Sequence, residues 1–395
     1  MKIGILTYHN SRNFGANLQT LASQELLRRA GFDPVVINYV DRAKLDAFRS
    51  LVPPEQIAMH EAFAARYYTL SPKISDPQEV AAYCRDTLDG VISGSDAVFR
   101  LRAPLAPKEV ARRLIGRKNA YADFSWDDRL PPYFLPFEAP GLVKGALAAS
   151  ARGTAFYFLR PSVMRQAGRA LRGFDFVTVR DEWTAMLVRW LSAGCVTPIY
   201  SPDPVFGLNR AFNIPADEVP QRDLSRTILL TGHFDRGWLT RMVAAIHARG
   251  YRAAMLANPA EQHGADAVDD VLSLPMSPLT WYSALANCAG FIGMRFHAFV
   301  SCLANDTPVV TMDVARPRLR KVDPRNPNYD LARRAGIEAA YFTRSALMAT
   351  PPDTVLDRLF DPSIRAKARA FSRTAPDLLE GHLARLRPSL ARAAA

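Results

Sequence analysis

A chain of 395 residues with 49% apolar and 22% charged side chains has the make-up of a soluble protein of two or three domains, and excludes a collagen-like or disordered one. Its net charge is +12, and arginine carries nearly all of the excess, with 42 residues against 8 lysines. A planar guanidinium binds phosphate and carboxylate through paired hydrogen bonds, so an anionic partner is one reading of this surplus and genomic base composition the other.

Ile3–Leu6 is an apolar run that stops at polar residues, which predicts a first β-strand rather than a signal peptide. A helical pattern over 15–30 ends at Gly31, and Pro34–Tyr39 reads as a second strand. Strands apolar on both faces, joined through a helix, open a parallel sheet covered by helices. Further strands are expected at Gly90–Ser93, Gly145–Ala149 and Phe174–Val179, the last followed by a helix over Glu182–Ser192. Between them, 100–140 is rich in proline and charge without a clean period and reads as an irregular insertion. A proline-rich seam lies between Pro202 and Asp223, after which the pattern restarts. Strands follow at Thr227–Thr231, Tyr251–Leu256, Phe291–Gly293 and Pro308–Met312, with helices at Arg236–Arg249, Leu279–Cys288 and Phe296–Ala304. The expected architecture is therefore α/β, with two Rossmann-like domains at 1–205 and 206–350 and a helical tail at 351–395 that packs back on the first.

Four isolated cysteines, Cys84, Cys195, Cys288 and Cys302, fit no zinc ribbon or disulfide framework and suit a reducing cytoplasm. No run approaches the length of a membrane-spanning helix. Seven scattered histidines without H-x-x-x-H or H-E-x-x-H spacing support no metal site. The arginines form no aromatic-interleaved basic motif, so nucleic acid is rejected as a partner. In the tail, Arg385, Arg387 and Arg392 alternate with Leu383, Leu386 and Leu390. Such a helix suits either peripheral contact with anionic headgroups or a domain-crossing role with a solvated basic face.

Ligands of open parallel sheets bind beyond the carboxyl ends of the strands, where helix N-termini attract anions. Four segments fall at such places: the 8–16 loop with Asn13 and Gly15, then Gly94-Ser95-Asp96, then Arg180-Asp181, then Arg295-Phe296-His297. A cation and a titratable imidazole opening a helix suit an anionic ligand, as against a capping histidine beside an ion-paired arginine. His233 ends the first strand of the second unit, either facing the cleft or as a plain loop residue.

With KIGILTYHNSRNFGANLQ, VISGSD, ALAASARG, TVRDEWT, SPDPVF and GFIGMRFHAFV in that order, the chain resembles the polysaccharide pyruvyl transferase family over nearly its whole length. The resemblance implies a cleft between two halves arranged as in GT-B glycosyltransferases. It also implies phosphoenolpyruvate as donor, no cofactor, and a sugar or glycan acceptor, lipid-linked or free, on which a pyruvate ketal forms across two hydroxyls. On matching positions, Arg180 and Arg295 look like the donor grip, His297 the acid or phosphate stabiliser, and Asp96 the base. Asn13, Gly15, Ser95 and His233 are the further binding candidates. Where many members continue G-S-D with Gln and Trp, this chain has Ala97-Val98-Phe99, a departure that bears on the acceptor. Two rivals stand beside this reading: a GT-B enzyme with a nucleotide-sugar donor, and a non-catalytic glycan-binding member.

Overall fold

A computed structural model describes residues 1–41, 52–114, 130–256, 265–313 and 322–387. Two six-stranded parallel sheets organise the chain. The first holds β1 (Lys2–Leu6), β2 (Asp33–Val36), β3 (Gly90–Ser93), β4 (Val143–Ala149), β5 (Phe176–Val179) and β6 (Ile199–Tyr200), in the order β2-β1-β3-β4-β5-β6. The second holds β7 (Thr227–Thr231), β8 (Arg252–Leu256), β9 (Asp270–Leu272), β10 (Gly290–Gly293), β11 (Val309–Met312) and β12 (Tyr341–Phe342), in the order β12-β11-β10-β7-β8-β9. Both orders reverse at one place, between β1 and β3 and between β7 and β10, and in open sheets that switch point is where a crevice opens.

The central strands are buried along their whole length, which is why they read as unbroken apolar runs. β2 is shorter than the predicted 34–39 strand. Beyond Val36 the chain leaves the ladder for isolated bridges, Val36 to Leu70 and Tyr39 to Ile74, so its apolar residues stay buried without extending the strand.

Around the sheets run α1 (Phe14–Arg29), α2 (Pro54–Tyr67), α3 (Pro77–Thr87), α4 (Pro107–Leu114), α5 (Pro161–Arg172) and α6 (Glu182–Leu191) in the first half. The second half carries α7 (Arg236–Ala248), α8 (Pro278–Asn287), α9 (Phe296–Ala304), α10 (Pro327–Arg334), α11 (Pro352–Leu359) and α12 (Pro362–Ala384). The segment expected to be an irregular insertion contains α4, and both of its ends join the core. Phe134 is fully buried and stacks on Phe99 with ring centroids 4.8 Å apart, a burial worth roughly 2–3 kcal/mol. Residues 115–129 of that insertion lie outside the described residues.

The two halves meet through α1, which is buried on all sides from Phe14 to Leu27 and packs against α8 and α9 of the second half. Phe14 stacks on Trp281 at 5.4 Å. Gln56 of α2 makes two bonds to one residue of the other half, accepting from Met276 N at 2.7 Å and donating to Met276 O at 2.8 Å. α12 bridges the same halves. Ser372 donates to Leu303 O at 2.7 Å, while further along the helix His382 donates to Tyr200 O at 2.9 Å. Leu383 and Leu386 are buried there, so the apolar side of the tail is occupied by protein, and Leu390 and Arg392 lie outside the described residues. Among the described residues no helix is long and apolar enough to cross a membrane.

Candidate functional site

The site is assembled where the carboxyl ends of the two sheets face each other. β1 runs out through Thr7 into the 8–13 loop, and Asn13 caps α1 by accepting the Gly15 N–H at 2.9 Å. β10 runs out through Met294 into Arg295, the N-cap residue of α9. The first turns of these helices touch. A Cβ on Gly15 would sit 2.0 Å from the His297 ring, so only glycine lets the imidazole rest on this backbone. Two helix N-termini from opposite halves thus converge, and their partial positive ends favour an anion.

β3 delivers Asp96. Its turn passes through Gly94, where any Cβ would meet Leu147 O at 2.3 Å and φ is +115°. Asp96 itself has φ +85°, a conformation costly to any residue with a side chain. It is held there by the Ser150 N–H to its carbonyl at 2.9 Å and by the Ala97 N–H to its Oδ1 at 2.6 Å. Ser95 is fully buried and spent on the scaffold. Its hydroxyl donates to Ala148 O and accepts from Gln19 Nε2, each at 2.9 Å, and its carbonyl accepts from Thr7 at 2.6 Å.

β5 delivers Arg180, whose side chain is 6% exposed. Its Nη1 donates to Asp203 Oδ2 at 3.0 Å, its Nη2 lies 3.8 Å from Asp96 Oδ1, and its guanidinium covers the Phe296 ring at 4.7 Å. Asp203 carries no sequence mark of its place in this site. It sits in the seam, 3% exposed, accepts from Gln19 Nε2 at 2.5 Å as well as from Arg180, and lies 3.7 Å from His297 Nε2. It stands in the SPDPVF segment between two prolines, where it also caps the following turn through the Val205 N–H at 3.1 Å. That capping pattern is a signal for an ordinary turn and conceals the second role. Gln19 lies inside α1, where its complete burial is invisible to periodicity.

Asp96, Arg180, Asp203 and His297 therefore form one buried cluster drawn from both halves and the seam. Burial alone would raise the Asp96 pKa, but the Arg180 guanidinium, with help from His297, Arg152 and the Ala97 N–H, holds it below the usual carboxylate range. Burial pushes His297 below the ordinary imidazole range. Asp203 and Asp96 pull it back up, while Arg180 and Arg152 push it further down. Arg152, exposed on the turn after β4, thus adds a second guanidinium whose charge reaches the cluster. Two nitrogens in this cluster, Arg180 Nε and His297 Nε2, are buried without a hydrogen-bond partner. Arg180 Nε is always a donor and His297 Nε2 becomes one when it carries the ring proton. An unmet buried donor is costly, so the pair marks a place shaped for an acceptor.

The remaining candidates lie at the margins. Arg295 is half-buried at the α9 cap, beside His297 in sequence. His233 follows β7, directly beside β10 at the second switch point, and its carbonyl accepts from Arg344 Nε at 2.8 Å. Asn13 spends its carbonyl on the α1 cap. Among the described residues no group of three or more His, Cys, Asp or Glu is placed to hold a metal ion.

The model of the family described as polysaccharide pyruvyl transferase matches residues 13–316, which contain every residue of this cluster. The chain belongs to the polysaccharide pyruvyl transferase family. Membership makes this pyruvyl transferase homologue a transferase of polysaccharide biosynthesis, with a sugar or glycan as acceptor. No curated protein matches the chain. Among solved structures, the pyruvyl transferase chain is similar to the spinosyn forosaminyltransferase SpnP, with TM-score 0.50, 12% identity and 99% of each chain covered. It is also similar to a UDP-GlcNAc 2-epimerase from Neisseria meningitidis solved with UDP-GlcNAc, with TM-score 0.52, 11% identity, and 98% of this chain and 100% of that one covered. At such identities the likeness is one of fold: two Rossmann-like halves in the GT-B arrangement with a cleft between them.

Proposed function

We propose that the protein transfers the enolpyruvyl group of phosphoenolpyruvate to two hydroxyls of one sugar, forming a pyruvate ketal and releasing phosphate. The observation that carries this reading is the pair of unmet buried nitrogens, Arg180 Nε and His297 Nε2, in a cluster that also holds carboxylates. Phosphoenolpyruvate presents phosphate and carboxylate on three carbons. Arg180 and Arg295 are assigned to grip them, because a fork of N–H groups matches either anion.

Without ligand, burial keeps His297 biased towards the neutral form. An arriving phosphate dianion adds negative charge beside it and favours the imidazolium, so donor binding itself loads the acid. His297 then protonates the methylene carbon, which leaves an oxocarbenium-like centre at the neighbouring carbon. The first sugar hydroxyl attacks that centre and yields its proton to Asp96, which Arg180 keeps ionised and therefore able to accept it. Phosphate departs with the electrons of its carbon–oxygen bond, stabilised by the guanidiniums. The second hydroxyl closes the ketal. One hydroxyl proton replaces the one given to the methyl group, and the other leaves with phosphate.

The test is incubation with phosphoenolpyruvate and a panel of glycans, reading phosphate release together with the ketal mass on product. Matched phosphate and ketal support the proposal. Consumption of a nucleotide sugar in the parallel arm, without phosphate release from phosphoenolpyruvate, overturns it in favour of glycosyl transfer.

A further inference from the structure

Twelve large apolar side chains are exposed among the described residues, and five of them, Leu105, Tyr157, Phe158, Met186 and Trp190, belong to one neighbourhood of the first half. Three segments meet there. The Leu105 N–H donates to Phe158 O at 3.3 Å, and Tyr157 meets Trp190 edge to face at 5.1 Å. Phe156, fully buried, underlies both rings, at 4.2 Å from Tyr157 and 6.5 Å from Trp190. Met186 stands one turn before Trp190 on α6, whose inner face is filled by Ala185, Leu187, Val188 and Leu191. Tyr157 and Trp190 are nonetheless about half exposed, at 51% and 49%.

The ledge is flanked by α5, whose charge is of one sign, while Glu182 at the start of α6 is ion-paired to Arg189. α5 starts three residues after Phe158, packs against α6, and contains no acidic residue. Arg165, Arg169 and Arg172 follow one another at helical spacing on its exposed side, and none enters an ion pair among the described residues.

We propose that the aromatic ledge and the basic stripe seat the protein on an anionic lipid bilayer. Tyrosine and tryptophan rings, apolar in body and polar at one tip, favour the headgroup level of a membrane, and arginines beside them meet anionic headgroups. A second copy of the chain is the competing occupant. A two-fold contact would bring like-charged stripes together, which disfavours it. Leu383 and Leu386 of the C-terminal tail are buried within the protein and do not supply this contact. Tyr157 is five residues from Arg152, so their Cα atoms are at most about 18 Å apart. The inference does not depend on which reaction the cleft performs.

The experiment is flotation of the full chain with vesicles of phosphatidylcholine alone and of phosphatidylcholine mixed with phosphatidylglycerol. Binding is expected to the mixed vesicles only, and to weaken as salt rises. Y157S/W190S should abolish it. R165Q/R169Q/R172Q should weaken it roughly a hundredfold, at about fivefold per charge. All five positions are exposed, and circular dichroism checks that both variants keep the fold. Absence of wild-type binding, or binding that survives both variants, overturns the proposal. Self-association in sedimentation equilibrium that Y157S/W190S removes, without vesicle binding, assigns the surface to a second copy instead.

Discussion

Replacing Asp203 by Asn keeps the size of the side chain and removes only its charge. In the wild type this carboxylate lies 3.0 Å from Arg180 Nη1 and 3.7 Å from His297 Nε2. A unit pair near 4 Å is worth about 4 kcal/mol at an effective dielectric of about 20. The amide retains part of the hydrogen bonding to Gln19 and Arg180, so a net loss of roughly 2–4 kcal/mol is expected, or about 30- to 1000-fold in kcat/KM. The sign of the pH effect follows from the geometry. Asp203 favours the imidazolium of His297, so activity that needs a protonated His297 falls as pH rises through its pKa. In D203N that pKa is lower, and the alkaline limb of kcat/KM for phosphoenolpyruvate moves to lower pH. The assay is phosphate release across the pH range, with circular dichroism confirming the fold. A folded D203N enzyme whose pH profile is unmoved and whose kcat/KM is within threefold of wild type (well below the ~30-fold expected) would falsify the role given to this carboxylate.

Gly15→Ala places a methyl group within van der Waals overlap of the His297 ring and must push the ring aside. The helix itself gains from alanine by about 0.5–1 kcal/mol. Phosphate release should therefore drop by about 100-fold in a protein that still folds, since an ångström of misplacement is enough; wild-type turnover in this variant would show that His297 is not at work there. His60 of α2, packed against Phe14 of α1 at 5.3 Å, is held to a pKa of about 4 by burial, with Arg12 contributing. The unfolded chain takes up its proton near pH 6.5 and the folded one only near 4, so stability is complete above pH 6.5 and falls by about 3 kcal/mol on acidification to pH 4. His60→Gln cannot take that proton, and urea midpoints compared at neutral and acid pH should show a shallower fall than wild type; an identical fall would place the acid sensitivity elsewhere.

The strands that carry the site were legible because a parallel sheet covered on both faces turns each strand into an unbroken apolar run. Gly90–Ser93, the strand ending at Val179 and the strand around Phe291 announce themselves in this way. Their carboxyl ends point, from sequence alone, to Asp96, Arg180 and His297. α2 and α3 left weaker marks. They bury only three residues each, and so lack a full apolar stripe. α1 misleads in the opposite direction, since a helix enclosed between two domains has no solvent face and its Asn17, Gln19, Thr20 and Gln24 are buried polar residues. Side chains that act across such a boundary, as Gln19 does towards Asp203, obey no local period. Their roles are set by which chain segment arrives opposite, and that is a property of the assembled fold.

The placement of Asp203 limits how this protein can be recombined with its relatives. Two-domain enzymes invite chimaeras joined at the proline-rich stretch between the halves, on the assumption that such a stretch is neutral ground. Here the start of that stretch is part of the machinery, tied to α1 by Gln19 and to β5 by Arg180. A junction before Asp203 would pair an arginine from one parent with a carboxylate from another. A junction beyond Phe206 keeps that pair within one parent, while the contacts of Gly15 and Asp203 with His297, of Arg180 with Phe296 and of Gln56 with Met276 still have to be matched across the graft.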